Sequence, residues 1–224
     1  MRMSIRFMFA ATAAVSVFWA QAFREPAISK LKSSAAESQP AATSGLVEFK
    51  RLVNSTNFRS YGFQSVEEAA SATLGQPAVA FLVRLDQLRD YQASTDATRL
   101  LTGADKVFYP VMAGNQVRSS IVVIKGSAGW KATSFGGPQF IQRLMQARES
   151  VTPGTPTMEI EVLALSAFFL GELRAGRSGA GDSLYLTPLA SQPELNLKVG
   201  VADQASRIFA QLAPIARAHN GLPR

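Results

Sequence analysis

Between Val107 and Gly137 three apolar stretches alternate with two short polar turns: VFYPVM, AGNQ, VRSSIVVIKG, SAG, WKATSFGG. Val, Ile, Phe, Tyr and Trp fill the stretches, and Gly and Asn fill the turns, which predicts a three-stranded meander. A helix over 138–149 follows, opened by Pro at its first position. It carries Phe140, Ile141, Leu144 and Met145 on one face.

The flanking pattern extends this core. Leu46, Phe49 and Val53 share a helical face. Ser65-Val66-Glu67-Glu68 has the form of a capping box, and the helix it opens runs to Leu74, where Gly75 and Pro77 stop it. The run Ala78 to Leu85 is almost continuously apolar, as a strand covered on both faces requires. Asp86 caps a short helix bearing Leu88 and Tyr91. Met158–Leu165 alternates as a strand. Ser166 begins a short helix with Phe168, Phe169 and Leu173. A glycine-rich loop, 176–182, leads to a strand at 183–189, with 195–199 as its hairpin partner. The last helix runs from 202 to 218, with Ile208, Phe209, Leu212 and Ile215 inward and Pro214 as a kink.

The order of elements repeats weakly. Helix 66–74, strand 78–85 and strand 106–112 correspond to helix 138–149, strand 158–165 and strand 183–189. Each second strand has a Pro near its end. The expected fold is α+β: a mixed or mainly antiparallel sheet packed by helices, in two weakly duplicated helix-strand-helix-strand halves, 65–137 and 138–218.

The N-terminus changes the picture. Arg2 and Arg6 precede an apolar run from Phe7 to Ala20, and Ala20-Gln21-Ala22 is a small-x-small cleavage pattern. Residues 1–22 therefore read as a signal peptide, and the protein as periplasmic or secreted. Residues 23–44 are rich in Ser, Ala and Pro and poor in large apolar side chains, so they read as a flexible linker. Residues 45–224 then form a single domain. Of 224 residues, 47% are hydrophobic, enough for a sizeable core. The formal charge is +7, and removal of Arg2 and Arg6 leaves +5. The bases are scattered, with no run of five, so no nucleic-acid partner is expected. Absence of Cys excludes disulfides and thiolate chemistry.

The arrangement of helix, strand, short helix and strand, given twice after a targeting peptide, resembles the twenty-two-kilodalton intermembrane-space component of the chloroplast import translocon and its cyanobacterial periplasmic relatives. Val107-Phe108, Phe135 with the helix 138–149, and Ile160 to Phe168 followed by Leu184 to Pro188 carry the likeness, which spans about 65–217. The loop 176–182 and the turn Gly126 to Trp130 have no counterpart in it. The resemblance implies a chaperone-like or shuttle role in envelope or outer-membrane protein biogenesis, without catalysis.

No catalytic set rises above background. His219 is the one His, and it sits where a helix C-terminus favours a cation. With a single His and no Cys, no metal or cofactor is expected. Glu159 and Glu161 are two apart on a strand and share a face, which reads first as a solvated one. The loop 176–182 lacks the Lys-Ser/Thr of a phosphate-binding loop. The candidate partner-binding residues are the aromatics Trp130, Phe135, Phe168 and Phe169, which form a protein-binding patch where they stand exposed.

The leading expectation is thus a non-enzymatic exported protein that binds polypeptide in the envelope, with peripheral membrane contact as a further option. Two other classes remain open. One is a hydrolase or transferase using Glu159 and Glu161 in a cleft. The other is a structural or inhibitor-like module presenting loops 113–116 and 126–129.

Overall fold

The apolar run Ala78–Val83 lies in the middle of one large sheet. The computed structural model describes residues 14–162, 165–175, 183–191, 195 and 197–219, with side chains from residue 27 onwards. Arg2, Arg6 and Phe7, on which the expected export signal rests, and the loop 176–182 lie outside the described residues. In chain order the elements are α1 (Ala14–Leu52), α2 (Val66–Ala70), β1 (Thr73–Leu74), β2 (Ala78–Val83), α3 (Leu85–Arg89), a 3₁₀ turn (Ala97–Leu100), β3 (Leu101–Ala113), β4 (Gln116–Gly126), β5 (Gly129–Gly136), α4 (Pro138–Glu149), β6 (Thr157–Val162), β7 (Ala167–Arg174), β8 (Ser183–Pro188), β9 (Asp203–Gln204) and α5 (Ala205–Ala218).

The sheet order is β5-β4-β3-β2-β6-β7-β8-β9, with β1 also pairing β3. β2 and β6 are parallel, Ala80 opposite Glu159, and every other pairing is antiparallel. The fold is α+β with a mixed, mainly antiparallel sheet packed by helices. Each half is a four-stranded meander running outward from the central parallel pair. The strand that follows β6 is β7, so β7 rather than 183–189 stands where β3 stands in the first half.

The chain departs from its sequence pattern at α1. Residues 23–44 are helical, and from Ala27 onwards the helix is docked on the core, not a flexible linker. Ser34, Ser38, Ala42, Gly45 and Phe49 repeat at helical spacing and are all buried. Four of these five are small, and small side chains let the helix lie close on β3, β4 and β5. Gly45 shows how close: a Cβ built there would stand 2.6 Å from Ala132 Cβ. Large apolar groups are scarce in this helix because the sheet supplies them. Pro40 is tolerated on the exposed side, at the cost of the Ala36 carbonyl's helical donor.

Residues 167–174 also depart from expectation. They form β7, not a helix, because β6 and β8 offer hydrogen-bonding edges on both sides. At the capping box Ser65 accepts from the Glu68 amide as expected, while Glu68 accepts from the Gln64 amide. The helix there ends at Ala70, and Thr73–Leu74 pair with β3 instead. β8 pairs with Asp203–Gln204, not with 195–199.

The two faces of the sheet are covered unequally. Tyr109, Ile121, Ile160, Phe169 and Leu186 point to the face carrying α1, α3 and α5. Ala78, Ala80, Phe108 and Leu170 point to the other, where Ile141, Leu144 and Met145 of α4 cover them. Arg89 of α3 donates from Nε to the Ala216 carbonyl at 2.9 Å and from its terminal nitrogen to the His219 carbonyl. The cation at the end of α5 is therefore Arg89, from 130 residues away. His219 itself is buried at the C-cap.

Candidate functional site

On the α4 face, the strand register places Glu159 between Ala80 of β2 and Leu170 of β7. Both neighbours belong to the cluster that α4 covers, so Glu159 lies beneath that helix. It is 0% exposed. Among the described residues neither of its carboxylate oxygens has a hydrogen-bond partner. Burial in this apolar surrounding pushes its carboxyl up to about 8; the Lys106 ammonium opposes that shift and the Glu161 charge adds to it. At neutral pH Glu159 is therefore mostly a protonated acid. Glu161, two residues on, is also buried and is held by Lys106 Nζ at 3.1 Å. The pair read as a solvated face is thus a covered one. Alternation along β6 turned both side chains the same way, as expected, but a helix lies over that face.

Aromatic rings form the roof. Phe140, in the first turn of α4, meets Phe108 of β3 at 5.2 Å and Phe168 of β7 edge-on at 5.6 Å. Phe108 stands opposite Ala78 and Phe168 opposite Glu161, so by register the ring that joins them spans β2 and β6 at the level of Ala80 and Glu159. Lys106 Nζ also sits 5.4 Å from the centre of the Phe108 ring, which joins the ion pair to the aromatic row.

Beside this roof lies an open groove of about 470 Å³. Pro138, Phe140, Phe168 and Leu189 supply its apolar walls, and Arg143 stands one turn along α4. The groove begins where Gly137 turns the chain into α4 with φ +65°, a conformation that glycine adopts freely. At its other end α4 is tied down by Arg148. That guanidinium donates to Thr157 Oγ1 at 3.0 Å, to the Gln76 carbonyl at 3.1 Å and to the Pro77 carbonyl at 2.8 Å.

The four aromatics singled out from the sequence are not brought together. Phe168 borders the groove. Phe169, its neighbour on β7, faces the opposite side and is 1% exposed, so it is core and presents no surface. Phe135 stacks on Phe49 of α1 at 5.7 Å. Trp130 donates its indole N–H to Glu37 of α1 at 3.1 Å, and Lys125 reaches the same carboxylate at 2.9 Å. Trp130 and Phe135 thus form the seat of α1. Phe140 and Glu159 complete the site, although periodicity marks Phe140 only as a core position. The turns at 113–116 and 126–129 are mostly exposed hairpin connections.

Among the described residues no group of three or more His, Cys, Asp or Glu side chains could hold a metal ion. None of their helices is long and apolar enough to cross a membrane. No family model, no curated protein and no solved structure matches this chain.

Proposed function

We propose that this is an exported, non-enzymatic binding protein that holds apolar stretches of polypeptide in the groove between α4 and β7, as a chaperone-like component of the bacterial envelope. The observation that carries the reading is the groove itself, about 470 Å³ and walled by Pro138, Phe140, Phe168 and Leu189. Open apolar concavities of this size suit side chains of an unfolded or extended chain. Arg143 at the rim adds a preference for segments carrying an acidic residue. The charged groups nearby are engaged in structure: Lys106 with Glu161, and Arg148 with backbone carbonyls.

The test is site-specific photocrosslinking. A photoreactive side chain replaces Ala190 at the groove, and a second replaces Ser33, exposed on α1 across the sheet. An unfolded outer-membrane protein is then offered to each. Crosslinks at 190 only, with weaker suppression of aggregation by Phe168→Ser, support the reading. Equal labelling at both sites, or full suppression by Phe168→Ser, overturns it.

A further inference from the structure

The structure places an unpartnered, fully buried carboxyl under the one helix that also walls the groove. We infer that Glu159 is a proton-operated latch: protonated, it lets α4 lie closed on the sheet, and ionised, it lifts the N-terminal turn of α4 and widens the groove. The geometry carries this in three parts. First, both Glu159 oxygens lack a hydrogen-bond partner among the described residues, so the ion has nothing there in the closed state to replace water. Second, Phe140 forms the roof above Glu159 and the wall of the groove, so it cannot leave one without changing the other. Third, α4 is held asymmetrically. Arg148 binds its C-terminal end to Thr157 and to the carbonyls of Gln76 and Pro77, while its N-terminal half follows the Gly136–Gly137 turn and has, among the described residues, one exposed side-chain bond to the sheet, from Gln142 Nε2 to the Val117 carbonyl at 3.1 Å. The helix can pivot about Arg148.

The charged groups around Glu159 fit a single-proton device. On β6 there is Glu161, and on β3 Lys106, paired with each other at 3.1 Å. On β7, Glu172 is paired with Arg174 at 2.9 Å. β2 contributes only Ala78, Ala80 and Leu82 on this face. α4 contributes Arg143, at the rim of the groove, and Arg148, already committed to its three acceptors. With Glu159 neutral, Lys106, Glu161, Glu172, Arg174 and Arg148 each have a partner. Ionisation adds a second carboxylate against one ammonium, and water reaches it only if the roof lifts. The proton released goes to solvent.

The experiment needs no ligand, so its failure and failure of the binding reading are separate results. Hydrogen–deuterium exchange of α4 is followed on the full chain from pH 6.5 to 9, corrected for the intrinsic pH dependence of exchange. The expected result is a loss of protection of roughly tenfold in residues 140–144 as pH rises, with residues 146–149 unchanged. Glu159→Gln should abolish the transition. Glu161→Gln removes the like charge and frees Lys106 to pair with Glu159, so it should move the transition to lower pH. An unchanged α4 in the wild type, or the same transition in Glu159→Gln, overturns the latch. Should Glu159→Gln fail to fold, carboxyl-carbon NMR of the wild type decides: titration of Glu159 without concerted movement of the residue 140–144 amide signals overturns it.

Discussion

The hydroxyl of Ser38 lies 2.8 Å from the phenol oxygen of Tyr109 in the buried seam between α1 and β3. The Ala35 carbonyl lies 2.9 Å from the same phenol oxygen and the Ser34 carbonyl 2.6 Å from the Ser38 hydroxyl, so two hydroxyl protons serve three close contacts. Burial raises the Tyr109 phenol above its usual range, opposed by the Ser38 bond. A polar link at 0% exposure must be satisfied from within the fold, and α1 is what satisfies it. Tyr109→Phe removes the phenol from this network while keeping the ring. It should cost about 1–2 kcal/mol in urea unfolding, and the helix should stay docked by circular dichroism.

Gly45 tests the same seam sterically. In an exposed helix Gly→Ala stabilises by about 1 kcal/mol. Here the new methyl would lie 2.6 Å from Ala132 Cβ, with no flexible side chain to yield. Gly45→Ala should therefore destabilise by roughly 1–3 kcal/mol. Gly45→Ala with Ala132→Gly should recover part of the loss, and the double-mutant cycle measures the coupling.

Glu159 should make stability fall as pH rises. Its folded value of about 8 stands above the ordinary 4.5, so the native chain keeps a proton that the unfolded chain releases. Its favourable contribution is full below about 4.5, is lost through the window from 4.5 to 8, and is absent above it. The total is on the order of 3–5 kcal/mol. Urea midpoints at pH 5 and pH 8.5 measure it, and Glu159→Gln should flatten the curve between them. The lowered carboxyls of Glu37, held by Lys125, and of Asp86, held by Arg84, act in the opposite sense and below that window.

Arg89 gives a local prediction. Its guanidinium donates to the carbonyls of Ala216 and His219, and its own carbonyl accepts from Arg217 Nε at 2.9 Å. Arg89→Ala leaves the end of α5 uncapped and should cost about 1–3 kcal/mol. Exchange protection should fall first in residues 212–218. Arg89→Lys keeps the charge but not the fork and should recover only part of the loss.

Much of this architecture is legible in local pattern. The meander β3–β4–β5 follows from β-formers interrupted by Gly-Asn and Gly-containing turns. The central place of β2 follows from its unbroken apolar run, and α4 follows from its Pro start and its apolar stripe. These are short-range properties: turn dihedrals, missing donors and periodicity act within a few residues. Other choices depended on partners far along the chain. Residues 27–44 have the composition of a linker and become a docked helix because a sheet 70 residues later accepts small side chains closely. Residues 167–174 are a strand because β6 and β8 flank them. Glu159 and Glu161 share a face by alternation, which the sequence alone determines. Whether that face meets water or a helix is a matter of packing, and α4 decided it, turning an ordinary carboxylate into a buried acid beside an apolar groove.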